Sequence, residues 1–146
     1  MLKVKFYDSI EDSLLKFAVI ISKHRNKWVL CKHKDRDTYE CPGGHRDCGE
    51  TILDTAKREL YEETGATQYS IRPICVYSVQ GFDGEVENPE ETFGMLFYSE
   101  ITEFDELPQG FEIEKIELFT ELPDHWTYPD IQPKLIEKVI NILPEV

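Results

Sequence analysis

Hydrophobic and polar positions alternate between two periods along this chain. Leu14 to Ser22 is largely apolar with β-branched Val19, Ile20 and Ile21, the pattern of a buried strand. Arg25-Asn26 reads as a turn, and Trp28 to Cys31 as the second arm of a hairpin. Lys32 to Thr38 is a charged loop, and Pro42-Gly43-Gly44 breaks any regular element. The spacing then changes to threes and fours. Ile52, Leu53, Ala56 and Leu60 give one apolar helical face. Thr51 is placed to cap that helix, with Asp54 completing a variant capping box. Gly65 suits the left-handed position just past its end, so a helix is predicted over Ile52 to Thr64.

Ile71 to Val79 and Thr92 to Ile101 read as strands, with Gly81 to Glu91 as an acidic loop between them. Ile113 to Phe119 is a further short strand. Pro133 fits the first turn of a last helix whose buried face is Ile131, Leu135, Val139, Ile140 and Leu143. Strands, helix, strands, helix in that order predict a mixed α/β fold with a sheet between helices. No repeat or linker divides the chain, so residues 1–146 are expected to form one domain.

Composition narrows the functions. The 146 residues include 29 Asp and Glu against 16 Lys and Arg, a net charge of −13. That balance counts against a nucleic-acid polymer or an anionic membrane as partner, since both reward clustered cations. It leaves a phosphate substrate open, because a divalent metal reverses the local field. No apolar run approaches the ~18 residues of a membrane span, and charges at Lys3, Lys5, Asp8, Glu11 and Asp12 break any signal-peptide pattern. Cys31, Cys41, Cys48 and Cys75 form no CxxC pair, and a cytoplasmic location with reduced thiols is expected.

The candidate chemistry is concentrated in Gly43 to Ala66. Residues three and four apart share a helix face, so Glu59, Glu62 and Glu63 project together. With the other face apolar, this acidic face is expected on the outer side of the docked helix. Such carboxylates suit a hard divalent cation, whose usual protein ligands are one or two carboxylates beside waters and substrate phosphates. The Gly43-Gly44 bend would let a backbone carbonyl approach the same ion.

Gly44, five residues, Glu50, seven residues, Arg58-Glu59-Leu60, one residue, Glu62-Glu63, one residue and Gly65-Ala66 match the Nudix box at every fixed position of its 23 residues. The chain therefore resembles the Nudix hydrolases, and it looks MutT-like by size. The lead-in Tyr39-Glu40-Cys41-Pro42-Gly43 is similar to theirs, with Cys41 where a larger apolar residue is common. Glu117-Leu118-Phe119 followed by Glu121-Leu122-Pro123 also looks family-like.

The resemblance implies an α/β/α sandwich around a mixed sheet and hydrolysis of a nucleoside diphosphate linked to another moiety. The expected substrate is a nucleoside triphosphate, oxidised forms included, cleaved to the monophosphate and pyrophosphate. ADP-ribose, a nucleotide sugar or a dinucleoside polyphosphate is the alternative, and a non-catalytic nucleotide-binding module is the alternative of another class. Carried onto this chain, Glu59, Glu62, Glu63 and the Gly43 carbonyl would hold Mg²⁺, or Mn²⁺, with Glu59 first choice to activate water. Arg58 would orient a glutamate and reach Glu62. Gly44 and Gly65 would be structural, and Glu50 would support the site. A later acid often completes the metal set; Glu112 is favoured over Glu114, Glu90 and Glu91.

Lys32 or His33, from the basic run that includes Lys34 and Arg36, would grip terminal phosphates. Phe82, Trp126 and Tyr128 are candidates to stack on a base. Relatives that read oxidised guanine carry Asn two residues before the helix-opening Pro; here Ile131 stands there, leaving Asp130 or Gln132 as substitutes. Cys31, His33, Cys41, His45 and Cys48 fall within 18 residues and keep a zinc site as a rival, although their spacings lack the paired form of structural zinc motifs. The partner expected is a small-molecule nucleotide, with the chain a monomer or homodimer.

Overall fold

The computed structural model of the protein describes residues 2–83 and 86–146, with the side chains of residues 82–88 outside that description. Its strands are β1 (Leu2–Tyr7), β2 (Leu15–His24), β3 (Lys27–His33), β4 (Tyr39–Glu40), β5 (Gly43–His45), β6 (Ala66–Asp83), β7 (Val86–Phe104) and β8 (Ile113–Phe119). Helix α1 is Ile52–Thr64 and α2 is Gln132–Ile142. The strands make one mixed sheet along β1-β6-β7-β2-β3, with β8 on the far side of β3. The β2–β7 pair is parallel and the others are antiparallel.

The helices take opposite faces of this sheet. Ala56 and Leu60 of α1 pack with Ala18, Ile20, Val29, Phe97 and Ile101. Leu135, Ile136 and Val139 of α2, with Leu143 just past its end, pack with Ile21, Trp28, Tyr77, Leu96 and Tyr98. Adjacent strand residues point to opposite faces, so β2 sends Ile20 to one helix and Ile21 to the other. That explains its unbroken apolar run. The expected sandwich is the fold observed.

Several boundaries differ from the sequence expectation. β1 was absent from it: Leu2-Lys3-Val4-Lys5 alternates, but the strand is a short, charged sheet edge. The acidic stretch expected as a loop over Gly81 to Glu91 is largely strand, because β6 and β7 continue pairing out to Asp83↔Val86. In α2, Ile140 is 37% exposed, and Ile136, at 1%, takes the core position expected of it. In α1, Leu53 is exposed while Thr55 and Thr64 are buried.

The local signals at α1 are realised. Thr51 accepts from Asp54 N–H, the Asp54 side chain accepts from Thr51 N–H, and Gly65 ends the helix at φ 75°. Arg25 and Asn26 have φ of 49° and 65°, both positive as a tight I′ hairpin turn requires. Among the described residues, no helix is long and apolar enough to cross a membrane.

The feature that positions the site is a fork in the sheet. β2 and β3 pair only beside their turn, at Lys23↔Trp28 and His24↔Lys27. Further along, β5 pairs with β2 at Val19↔Gly43 and Phe17↔His45, and β4 pairs with β3 at Cys31↔Glu40. The segment Tyr39 to His45 thus fills the gap between the diverging strands and carries Gly43 and Gly44 across the front of α1.

Candidate active site

The acidic face of α1 turns inward, against the expectation that it lies on the outer side of the helix. Glu59, Glu62 and Glu63 are all partly buried, and with Glu112 they line one cleft of about 320 Å³. The reason is the fork: β5 lies alongside α1 and offers polar backbone there. Gly43 N–H donates to Glu63 Oε1 at 2.8 Å. Any Cβ on Gly44 would fall on the Glu59 carboxylate, so only glycine lets this strand and that side chain approach.

Arg58 binds the acids together. Its Nε donates to Glu50 at 2.6 Å, and its Nη1 to Glu59 at 2.9 Å and Glu62 at 3.3 Å. Nη2 donates to the His45 carbonyl at 2.9 Å. The Glu50 carboxylate also accepts from Asp47 N–H and Thr55 Oγ1, and these donors, led by Arg58, hold its pKa down to about 2. Glu50 and Arg58 therefore brace the acidic face. Burial pushes Glu63 up to about 8, reinforced by the charges of Glu59, Glu40 and Glu62 and opposed by the Gly43 hydrogen bond. Burial also raises Glu59, against the pull of Arg58.

A divalent cation fits this set. Glu59, Glu62, Glu63 and Glu112 bring carboxylate oxygens to one cleft, the donors a hard cation prefers. Among the described residues, no three acidic, His or Cys side chains are already drawn around one point; Arg58 and the Gly43 N–H hold the carboxylates where they stand.

The other candidates are dispersed. Glu112 lies in the cleft and accepts from His33 Nε2 at 2.9 Å. Asp35 N–H donates to His33 Nδ1, which leaves the proton on Nε2. Glu114 pairs with Lys32, Glu91 accepts from Tyr7 and Ser78, and Glu90 is exposed on β7, so none of these three lines the cleft. Lys32 and His33 are thus engaged with acids beside β8. Cys31 donates toward the Glu63 carbonyl on the α1 side, Cys41 packs in the α2 cluster, and Cys48 is exposed. Among the described residues, the Cys and His residues of the zinc alternative are not gathered three or more around one point.

Across β5 lies a second cavity, of about 270 Å³, whose walls include Phe17, Gly43, Gly44, Tyr77, Tyr128 and Gln132. Gly43 and Gly44 therefore stand between it and the acidic cleft. Of the aromatic candidates, Tyr128 lines this cavity, Trp126 packs against the α2 cluster and the Phe82 side chain lies outside the description. Asp130 is exposed and is not part of the cavity wall. The side chain that does reach it is Gln132. Sequence reasoning missed Glu40, whose buried Oε1 has no hydrogen-bond partner and stands 3.9 Å from Arg36 Nη1. Its one signal was a lone acid in an otherwise apolar lead-in strand.

Comparison with known proteins places this geometry. A family model described as the NUDIX domain matches residues 13–138. Two proteins of Bacillus subtilis (strain 168) are similar in sequence. One, named "Putative 8-oxo-dGTP diphosphatase YtkD", is 31% identical over 110 residues, 75% of this chain and 65% of that protein. The other, named "Putative 8-oxo-dGTP diphosphatase", is 32% identical over 94 residues, 64% of this chain and 58% of that protein. The alignments thus span less than two thirds of either relative. Among solved structures, the Bacillus subtilis pyrophosphohydrolase BsRppH superposes with a TM-score of 0.77 at 26% identity, over 96% of this chain and 90% of that one.

Proposed function

Because the chain belongs to the NUDIX domain family, we propose that it is a pyrophosphohydrolase acting on nucleoside triphosphates, oxidised ones included, releasing the nucleoside monophosphate and pyrophosphate. The observation that carries this reading is the shared wall at Gly43-Gly44. It separates a carboxylate cleft suited to a cation and phosphates from an aromatic cavity suited to a base. The names of the Bacillus subtilis relatives support the same substrate class.

In this reading Glu59, Glu62, Glu63 and the Gly43 carbonyl hold Mg²⁺, with Mn²⁺ as a substitute, and Glu112 completes the set from the segment before β8. When bound, such an ion would neutralise the phosphates and make water more acidic. The protein does the positioning. Arg58 fixes Glu59 and Glu62 against each other, and Glu50 keeps Arg58 charged and in place. Glu59 accepts the proton of the attacking water. Lys32 and His33, at the rim, meet the outer phosphates by exchanging their present carboxylate partners for substrate oxygens. Phosphoryl transfer asks little more of a protein than such alignment and charge stabilisation.

The test is phosphate and pyrophosphate release over a nucleotide panel, with and without Mg²⁺, for the native chain and for Glu62→Gln and Glu63→Gln. Each variant is expected to lose at least ~10²-fold in turnover while folding normally, since the ion contributes several kcal/mol of transition-state stabilisation. Near-native rates in both variants would sink the site assignment. Turnover confined to ADP-ribose, nucleotide sugars or dinucleoside polyphosphates would replace the triphosphate reading. Nucleotide binding without turnover would make the chain a binding module.

A further inference from the structure

The sheet ends at β1 on one side and at β8 on the other. An end strand presents a row of unpaired backbone groups on which a further strand can add. The two ends differ in charge. β1 carries Lys3 and Lys5 and no acid, so it repels a second copy of itself. β8 carries both signs: Lys115 Nζ stands 3.3 Å from Glu117 Oε1, and both side chains reach solvent. Among the described residues, the outer side of β8 meets no other strand. Large apolar side chains are exposed along it as well: Phe111 just before the strand, Leu118 within it and Leu122 just after. Apolar side chains gathered on an unpaired edge mark a contact surface. Ile116 points to the α1 face of the sheet. Alternation puts Leu118 on that face too, and Lys115 and Glu117 on the other.

We propose that β8 is the interface of a homodimer, pairing antiparallel with β8 of a second copy so that Ile116 lies opposite Ile116 of the partner subunit on the two-fold axis. A two-fold contact uses the same patch on both copies, so the patch must complement itself. In this register it does so on both faces. On one, Lys115 stands opposite the partner's Glu117, and Glu117 opposite the partner's Lys115. On the other, Leu118, Ile116, the partner's Ile116 and the partner's Leu118 form one diagonal apolar strip. Opposite Leu118 is the partner's Glu114, and Glu114 is drawn off to Lys32 on the β3 of its own subunit. Centred on Lys115 or on Glu117 instead, the same strands would set like charges directly against each other. Antiparallel pairing also brings the start of one strand to the end of the other. Phe111 and the partner's Leu122 therefore come to the same end of the ladder, and two exposed apolar groups gain a neighbour.

The test is sedimentation equilibrium of the native chain, of Lys115→Glu and Glu117→Lys, and of the two variants mixed in equal amounts. The native chain is expected to sediment at twice the mass of one chain. Each variant sets like charges opposite one another on both sides of the axis, and its dimer is expected to weaken at least about ten-fold. The mixture discriminates. A Lys115→Glu chain offers two acids and a Glu117→Lys chain two cations, so only the mixed dimer has opposite charges throughout. It is expected to form at least as tightly as the native dimer. The Lys115–Glu117 pair within each chain stays broken in the mixture, so regained association cannot come from that pair. A monomeric native chain, native association of either variant alone, or a mixture that stays monomeric would overturn the proposal.

Discussion

Glu63 concentrates the electrostatics of the site in one side chain. Its carboxyl is raised from an ordinary value to about 8, mainly by burial. Between those two values the folded state holds a proton that the unfolded state has released. A raised folded-state pKa stabilises fully below the unfolded value, and that contribution is lost as pH rises toward the folded one. The metal-free protein is therefore expected to melt at falling temperatures from about pH 5 to pH 8. Glu63→Gln is expected to flatten that slope and to raise the melting temperature at pH 8. A melting temperature that climbs over the same range, or a slope unchanged in the variant, would show that Glu63 does not carry this charge. Glu50 works in the opposite sense: its value is lowered to about 2, so its contribution is lost only in acid. The grouping of Glu59, Glu62 and Glu63 was legible from helical spacing, and the reach of Arg58 to Glu62 from the family resemblance. Their inward orientation was not, because it depends on β5 lying against α1, a contact between segments that periodicity does not encode. Gln132 was visible only as a substitute for Asn; its burial and its bond to Cys41 depend on how α2 meets β4.

At the scale of elements, α1 and β5 hold the carboxylates as a pair. The capping box at Thr51 fixes where α1 begins, and so which residues face the glycine strand. Thr51→Ala removes one cap bond, which typically costs ~1 kcal/mol, and is expected to lower the melting temperature by a few degrees while leaving substrate affinity intact. Gly44→Ala should behave differently. Its Cβ would meet the Glu59 carboxylate, so Glu59 must move while the fold survives. Turnover is expected to fall by ~10-fold or more with little change in melting temperature. Native turnover in Gly44→Ala would mean that Glu59 need not stand against β5. Elements with dense local signals were readable: α1 from caps and period, the β2–β3 hairpin from its turn. The length of β6 and β7 was hidden by the acidic composition of their outer ends, where pairing with the adjacent strand overrides weak strand propensity. β4 and β5 were read as a break because Pro42 and Gly43-Gly44 interrupt them.

At the scale of the whole molecule, a chain of net charge −13 is an unpromising receptor for a polyanionic nucleotide. The account resolves this by placing a cation in the most acidic part of the fold, with the sheet fork bringing α1, β5 and the segment before β8 to one cleft. The measurement that tests this most directly is the anomalous signal of a crystal soaked in Mn²⁺ and a nucleotide. A strong peak coordinated by Glu59, Glu62 and Glu63 is expected. A fully soaked crystal with no peak there, and the three carboxylates still on Arg58 and the Gly43 N–H, would contradict it.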